Sequence, residues 1–281
     1  MYEKCCNLLN GIDIQFRRSN RLDIALSTNL PIALIFLPAA DIPIFVGEGK
    51  CDLGITGLDQ IKEAGLLDQV EDLLDLQFGK CKLQIQVPAN GPYNSAKDLV
   101  GKKIVSSFTK LSTDYFKELE GKESLETHIR YVGGSVEASC ALGVADAIID
   151  LVESGETMKA AGLKPLETVL STSAHLVSFK SPKFPELVST ILSRFEGLLA
   201  AQKYVLCNYN APRKILPEVL TITPGRRSAT ISALETKIEG EDEWVAVSAM
   251  VEKKDIGNIM DKLKKAGASD ILVFDIHNCR V

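Results

Sequence analysis

The sequence predicts an α/β protein with two α/β lobes and a smaller C-terminal domain of βαββαβ order. Three observations carry that expectation. Strand-like and helix-like stretches alternate through roughly the first two hundred residues, as in layered α/β lobes. One long amphipathic segment, 185–203, follows them. Beyond it the order becomes strand, helix, two strands, helix, strand.

Taken in order, Asp41 caps a short helix with Pro43 in its first turn, where the missing N–H costs nothing, and Gly49 closes it. Residues 52–56 read as a short strand ending at Gly57. Residues 83–87 alternate apolar and polar, and Pro88, which has no N–H for a ladder, stops them. A strand at 103–107 precedes a helix around 114–120; a strand at 129–132 precedes the Gly133-Gly134-Ser135 loop and a helix at 136–142. The apolar strand 147–152 runs straight into Ser154-Gly155-Glu156-Thr157. This repetition predicts mostly parallel sheets. Across 185–203, Leu187, Val188, Ile191, Leu192, Phe195, Leu198 and Leu199 recur at three- and four-residue spacing, which is one buried helix face. Strands at 204–210, 230–234, 244–251 and 270–276, with helices at 213–219 and 255–266, complete a ferredoxin-like unit.

The 281 residues, 46% hydrophobic, are enough for two or three packed lobes. A formal net charge of −5 offers no global field for nucleic acid. Local helix N-termini and single lysines hold phosphates even in an acidic protein. The seven cysteines form no CxxC pair and only three histidines are present, so the thiols read as reduced and no metal-ligand set is named. No apolar run approaches the roughly 18–20 residues of a membrane span. The opening MYEKCCNLLNG has neither a signal core nor an Arg-rich transit pattern. The expectation is a cytoplasmic protein with no membrane or nucleic-acid partner.

The segment 133–162 carries the chemistry. Its apolar strand delivers Asp150 near its end, and the Ser-Gly-Glu-Thr turn just beyond opens a helix. Free first-turn N–H groups, the helix dipole and the hydroxyls of Ser154 and Thr157 suit a phosphate monoester. Asp150 and Asp146 suit ribose hydroxyls or a share in holding Mg2+. The plainer alternative is an ordinary helix cap with solvated carboxylates.

The residues Glu137, Gly143, Ala145, Ile148, Asp150, Leu151, Ser154, Gly155, Thr157 and Met158 fill the spacing of a known signature. With DIPIFVGEGKCDLGITG, CKLQIQVP, GSVEASCALG and GASDILVF, the chain resembles the ATP phosphoribosyltransferases of the long, fungal type over nearly its whole length. The resemblance implies two periplasmic-binding-protein-like α/β lobes around a cleft: lobe I from 1–86 and 167–203, lobe II from 87–166. It implies a regulatory domain at 204–281. It also implies the reaction, in which N1 of the ATP adenine displaces pyrophosphate from phosphoribosyl pyrophosphate with Mg2+ as cofactor, the first step of histidine biosynthesis. Such a displacement passes through an oxocarbenium-like state and needs no side-chain nucleophile. The resemblance places the sugar phosphate on Ser154, Gly155, Glu156 and Thr157, and the ribose on Asp150 and Asp146. Gly54 and Gly57 are candidates for close backbone approach to a substrate, and Arg21, Lys50 and Lys82 for phosphate contacts.

Histidine is implied as inhibitor, binding near Thr230, Ala268 and Ser269 and shifting a homo-oligomer from dimer to hexamer. Two departures stand out. Phe36-Leu37-Pro38 occupies a place where many relatives carry basic residues. The chain also starts at the helix near Tyr2, without the strand and basic stretch that open the family, so an exposed sheet edge and fewer cationic contacts are expected. A non-catalytic two-lobed binding protein, or an impaired partner subunit, is the alternative reading.

Overall fold

The computed structural model describes residues 2–19, 22–235 and 243–280. In chain order the elements are α1 (Tyr2–Gly11), β1 (Ile24–Leu26), β2 (Ala33–Ile35), α2 (Ile42–Gly47), β3 (Leu53–Gly57), α3 (Leu58–Ala64), β4 (Val70–Asp75) and β5 (Cys81–Pro88). They continue with β6 (Lys103–Ser106), α4 (Thr109–Glu120), β7 (His128–Tyr131), α5 (Ala138–Ala141), β8 (Ala147–Val152), α6 (Glu156–Ala160), β9 (Leu163–Thr172), β10 (Ala174–Phe179) and α7 (Pro185–Lys203). The last are β11 (Tyr204–Pro212), α8 (Leu216–Ile222), β12 (Thr230–Ala233), β13 (Trp244–Glu252), α9 (Ile256–Ala266) and β14 (Ser269–Asp275). The elements expected from periodicity are all present; β1, β2, α3, β4, β9 and β10 were not singled out by it.

The chain divides into two units, the first comprising Arg17–Leu26 and Ile32–Ser189. It holds a three-stranded sheet, β3-β10-β4, and a five-stranded sheet, β7-β6-β8-β5-β9, beside the β1-β2 pair. The sheets are mixed, not mostly parallel. β6 runs parallel to β7 and β8, with α4 and α5 as the crossovers that parallel pairing requires. β5 and β9 enter and leave that sheet without such a crossover and pair antiparallel with their neighbours, and β10 is antiparallel to both β3 and β4. The five-stranded sheet packs Leu83, Ile85, Ile104, Phe116 and Ile149 on one face, and Val105, Val136, Ile148 and Met158 on the other.

Cys81 pairs with Thr172, so the chain enters and leaves the five-stranded sheet at adjacent points. The boundaries expected at 86/87 and 166/167 cut through β5 and β9. Both strands lie wholly in one sheet, and the crossings fall at 76–80 and at Ser173.

The second unit comprises Tyr2–Phe16, Ser27–Pro31 and Thr190–Val281. Its antiparallel sheet has the order β12-β13-β11-β14, which is the ferredoxin-like arrangement. Alternate residues Val205, Cys207, Tyr209 and Ala211 of β11 and Val245, Val247, Ala249 and Val251 of β13 are buried in one core, packed with residues of α8 and α9. Residues 2–16 and 190–203, expected in lobe I, cluster here instead. Arg194 Nη1 donates to Ile12 O at 3.1 Å, and Asn278 Nδ2 donates to Gly11 O at 3.1 Å.

Candidate functional site

β8 ends at Val152, and the chain turns through Glu153, Ser154 and Gly155 into α6. Gly155 stands at φ +79, a left-handed conformation that favours glycine. This turn borders a cavity of about 580 Å³ whose wall includes Lys80, Lys82 and Gln84 of the β5 region, Val152, Ser154, Gly155, Met158 and Lys159, and the run Ser171-Thr172-Ser173. Lys80, Lys82 and Lys159 have no carboxylate partner among the described residues, and Glu153 is the only acidic residue in the wall. The cavity is therefore cationic and presents hydroxyls from two sides. Cys81 also lines it, but burial, then Asp59 and Glu153, push its thiol up to about 11. It is a neutral thiol at physiological pH, not a nucleophile.

Asp150 pairs with Gln84 across the strands, so the two side chains share one face of the sheet, but Asp150 itself is not in the cavity wall. Burial raises its carboxyl above the ordinary range, the Leu151 N–H opposes this, and Glu137 adds to it. Ser154 Oγ accepts from the Glu156 N–H at 3.4 Å, while Glu156 and Thr157 are exposed on the first turn of α6.

Other expected residues are placed elsewhere. Asp146 sits at the opposite end of β8, where Tyr93 O–H donates to Oδ1 at 2.8 Å and Lys103 N–H to Oδ2 at 3.0 Å. A Cβ on Gly54 would lie 2.7 Å from Ile42 and 2.9 Å from Val46, so this glycine lets α2 close on β3 and does not open toward a ligand. A Cβ on Gly57 would lie 2.2 Å from Asp59 Oδ1, so that space belongs to a buried carboxylate. Arg21 lies outside the described residues.

In the second unit, Thr230 is exposed on β12, whereas buried Ala268 and Ser269 stand at β14 on the opposite edge of the sheet. Three strand spacings of about 4.8 Å separate those edges, roughly 14 Å. One histidine does not bridge them within a single copy.

Sequence reasoning did not single out Lys80, Lys159 or Ser171-Thr172-Ser173. A run of three small hydroxyl residues where β9 passes into β10 is the sequence signal that would have found part of this set. Thr172 O–H donates to Asp59 Oδ1 at 2.7 Å, and Ser173 O–H donates to Asp75 Oδ1 at 3.0 Å.

The family model described as HisG, ATP phosphoribosyltransferase, matches residues 38–197, and that of the HisG C-terminal domain matches 201–278. A Debaryomyces hansenii ATP phosphoribosyltransferase is 79% identical over all of this chain and 93% of its own length. The Saccharomyces cerevisiae ATP phosphoribosyltransferase is 59% identical over the same shares. Among solved structures, the ATP phosphoribosyl transferase HisG:HisZ complex from Thermotoga maritima superposes with a TM-score of 0.58 at 22% identity, over 69% of this chain and 91% of that one.

Proposed function

The chain belongs to the ATP phosphoribosyltransferase family and is a pentosyltransferase of the first step of histidine biosynthesis; on that premise we propose how its residues serve the reaction. The observation that carries the reading is the set of three lysines, unpaired among the described residues, that meets the Ser154-Gly155 turn around one cavity. We place the sugar phosphate of phosphoribosyl pyrophosphate on the turn, against Ser154, Gly155 and the first-turn N–H groups of Glu156 and Thr157. Asp150 faces the ribose hydroxyls, and Lys80 and Lys82 face the pyrophosphate. Asp146, tied to Tyr93 and Lys103, acts on the frame of the lobe and not on the ribose.

As N1 of the ATP adenine approaches the anomeric carbon, the bond from that carbon to pyrophosphate breaks and its electron pair leaves with the pyrophosphate. The protein's part is to hold both reactants in line and to stabilise the departing charge, and lysines set in a fixed wall do the latter. The family uses a divalent metal. No group of three or more His, Cys, Asp or Glu side chains that would hold one gathers among the described residues. Mg2+ would add charge neutralisation at the departing pyrophosphate, and one or two carboxylates of this chain would hold it. Glu153 and Asp150 are the carboxylates at hand.

The reading extends to regulation: residues 204–281 bind histidine and mediate a homo-oligomer, the dimer-to-hexamer change that the resemblance implies. Exposed Leu272 and Phe274 on edge strand β14 support a role in assembly. The free cysteines suit a reducing compartment, the cytoplasm.

Calorimetry of phosphoribosyl pyrophosphate with Lys82→Ala, Ser154→Ala and Thr157→Ala tests the site. Each substitution is expected to weaken binding by about 1.5 to 3 kcal/mol, the size of one charge-assisted hydrogen bond. Unchanged affinity in all three would overturn the assignment.

A further inference from the structure

Behind the cavity, at the crossing between the two sheets of the first unit, lies a chain of four polar side chains that the reaction scheme above does not use. His175 Nδ1 stands 2.8 Å from Asp72 Oδ1, and His175 Nε2 stands 3.1 Å from Ser173 Oγ. Ser173 O–H in turn lies 3.0 Å from Asp75 Oδ1, which also accepts the Gln77 N–H at 2.8 Å. Ser173 and His175 are both buried. The surrounding backbone is fixed as well, by Leu76 N–H to Ala174 O and Ala174 N–H to Phe78 O, each at 2.9 Å.

Counting protons decides what this chain presents to the cavity. A serine hydroxyl has one proton to donate. If Ser173 gave it to His175, Ser173 Oγ and Asp75 Oδ1 would face each other at 3.0 Å as two acceptors. If Ser173 gives it to Asp75, His175 Nε2 must donate to Ser173 while Nδ1–H donates to Asp72. In either arrangement the single hydroxyl proton is spent on Asp75 or His175, so toward a ligand Ser173 Oγ is left as an acceptor. The titratable groups that face His175 are Asp72 and Asp75 of β4. From β3 the paired residue is Thr56, whose hydroxyl is donated to Ala39 O.

We propose that Asp72, His175 and Asp75 position Ser173 as an acceptor-only group in the cavity wall, so that this point selects a hydrogen-bond donor of the substrate and rejects a phosphate oxygen. With its proton spent on Asp75 or His175, Ser173 Oγ keeps a lone pair for a ligand. The chemistry it takes is a hydroxyl or an amino group: a ribose hydroxyl of phosphoribosyl pyrophosphate, or the exocyclic amine of ATP. The wall of one cavity is then divided, with lysines and the Ser154 turn for phosphate and Ser173 for a donor. This rests on the reading of the cavity as the substrate site, which the test separates from it.

The experiment measures binding of phosphoribosyl pyrophosphate, of ATP and of inorganic pyrophosphate to the full chain and to Ser173→Ala, His175→Gln and the double variant, with melting temperatures alongside. Ser173→Ala is expected to weaken either phosphoribosyl pyrophosphate or ATP about tenfold, one net hydrogen bond, and to leave inorganic pyrophosphate, which carries no such donor, unchanged. Whichever nucleotide or sugar substrate responds identifies the donor. His175→Gln is expected to act in the same direction and to add nothing in the Ser173→Ala background. Equal weakening of all three ligands, or additive effects, would overturn the proposal while the cavity reading stands. A full chain that binds none of the three overturns both.

Discussion

Asp146, just before β8, and Asp150, within it, are pushed in opposite directions by their surroundings. The Lys103 N–H is the largest influence on Asp146 and holds its carboxyl below the ordinary range; burial opposes, while Tyr93 and the charges of Lys102 and Lys103 reinforce. A depressed carboxyl contributes stability above the unfolded-state value and loses it as pH falls through the folded-state value. Asp146→Asn is therefore expected to lower stability at neutral pH by about 1 kcal/mol, one net hydrogen bond, with the gap closing in acid; thermal melts across pH check this. Asp150 is the reverse case. Its raised carboxyl carries a penalty that sets in as pH rises through the ordinary range, because burial and Glu137 disfavour the charge. Asp150→Asn is expected to leave the neutral-pH melting point unchanged or higher while weakening phosphoribosyl pyrophosphate. A large loss of stability would mark Asp150 as a structural group instead.

Two helices depend on residues far away in the chain. The N-terminus of α4 has no cap from its own flanking side chain; Glu63 of α3 supplies it, accepting Lys110 N–H at 2.8 Å and Leu111 N–H at 2.9 Å. That carboxylate also matches the positive end of the helix dipole. Glu63→Ala is expected to cost about 1 to 2 kcal/mol, as loss of a helix cap does, measured by denaturant unfolding. In the second unit, α7 is crossed at Gly197 by the C-terminal segment, where a Cβ would fall 1.9 Å from Cys279 O. The clash is with backbone, which does not swing aside as a flexible side chain would. Gly197→Ala is expected to destabilise the second unit by about 1 to 3 kcal/mol, the range for overpacking.

At the scale of the whole molecule, the proposed binding of histidine to residues 204–281 would reach the reaction through assembly. Histidine shifts an assembly only by binding one state more tightly, and a tenfold preference per site supplies about 1.4 kcal/mol. Thr230 and Ser269 lie on opposite edges of one sheet. If both serve one histidine, they come from different copies, and the ligand then favours assembly by its placement. Thr230→Val and Ser269→Ala are expected each to weaken histidine inhibition and each to reduce histidine-driven association in sedimentation. An effect from only one of them would confine the site to a single edge and remove this link between ligand and assembly.

Much was legible in the sequence because local physics dictated it. Leu187 to Leu199 repeat at helical spacing and form α7; 83–87 alternate and lie in β5; Gly155 follows an apolar strand and takes the left-handed turn that opens α6. The βαββαβ order carried the ferredoxin-like sheet, since strands of that order and length have few ways to bury their apolar sides. The signature around Asp150 and Ser154 carried the family. Strand direction, and the partners of single side chains, were not legible. β5 and β9 pair antiparallel because the chain enters and leaves their sheet at one place, and that depends on β10 lying in another sheet. Gly54 looked open to a ligand until Ile42 and Val46 occupied its face. The sequence by itself determined which segments are helix or strand, and that a Ser-Gly turn opens α6, because periodicity, capping and turn chemistry act over a few neighbouring residues. Only the tertiary structure decided that Lys80, Lys82, Lys159 and Ser173 share one cavity and that His175 stands between Asp72 and Ser173, because those meetings depend on contacts between residues up to a hundred positions apart.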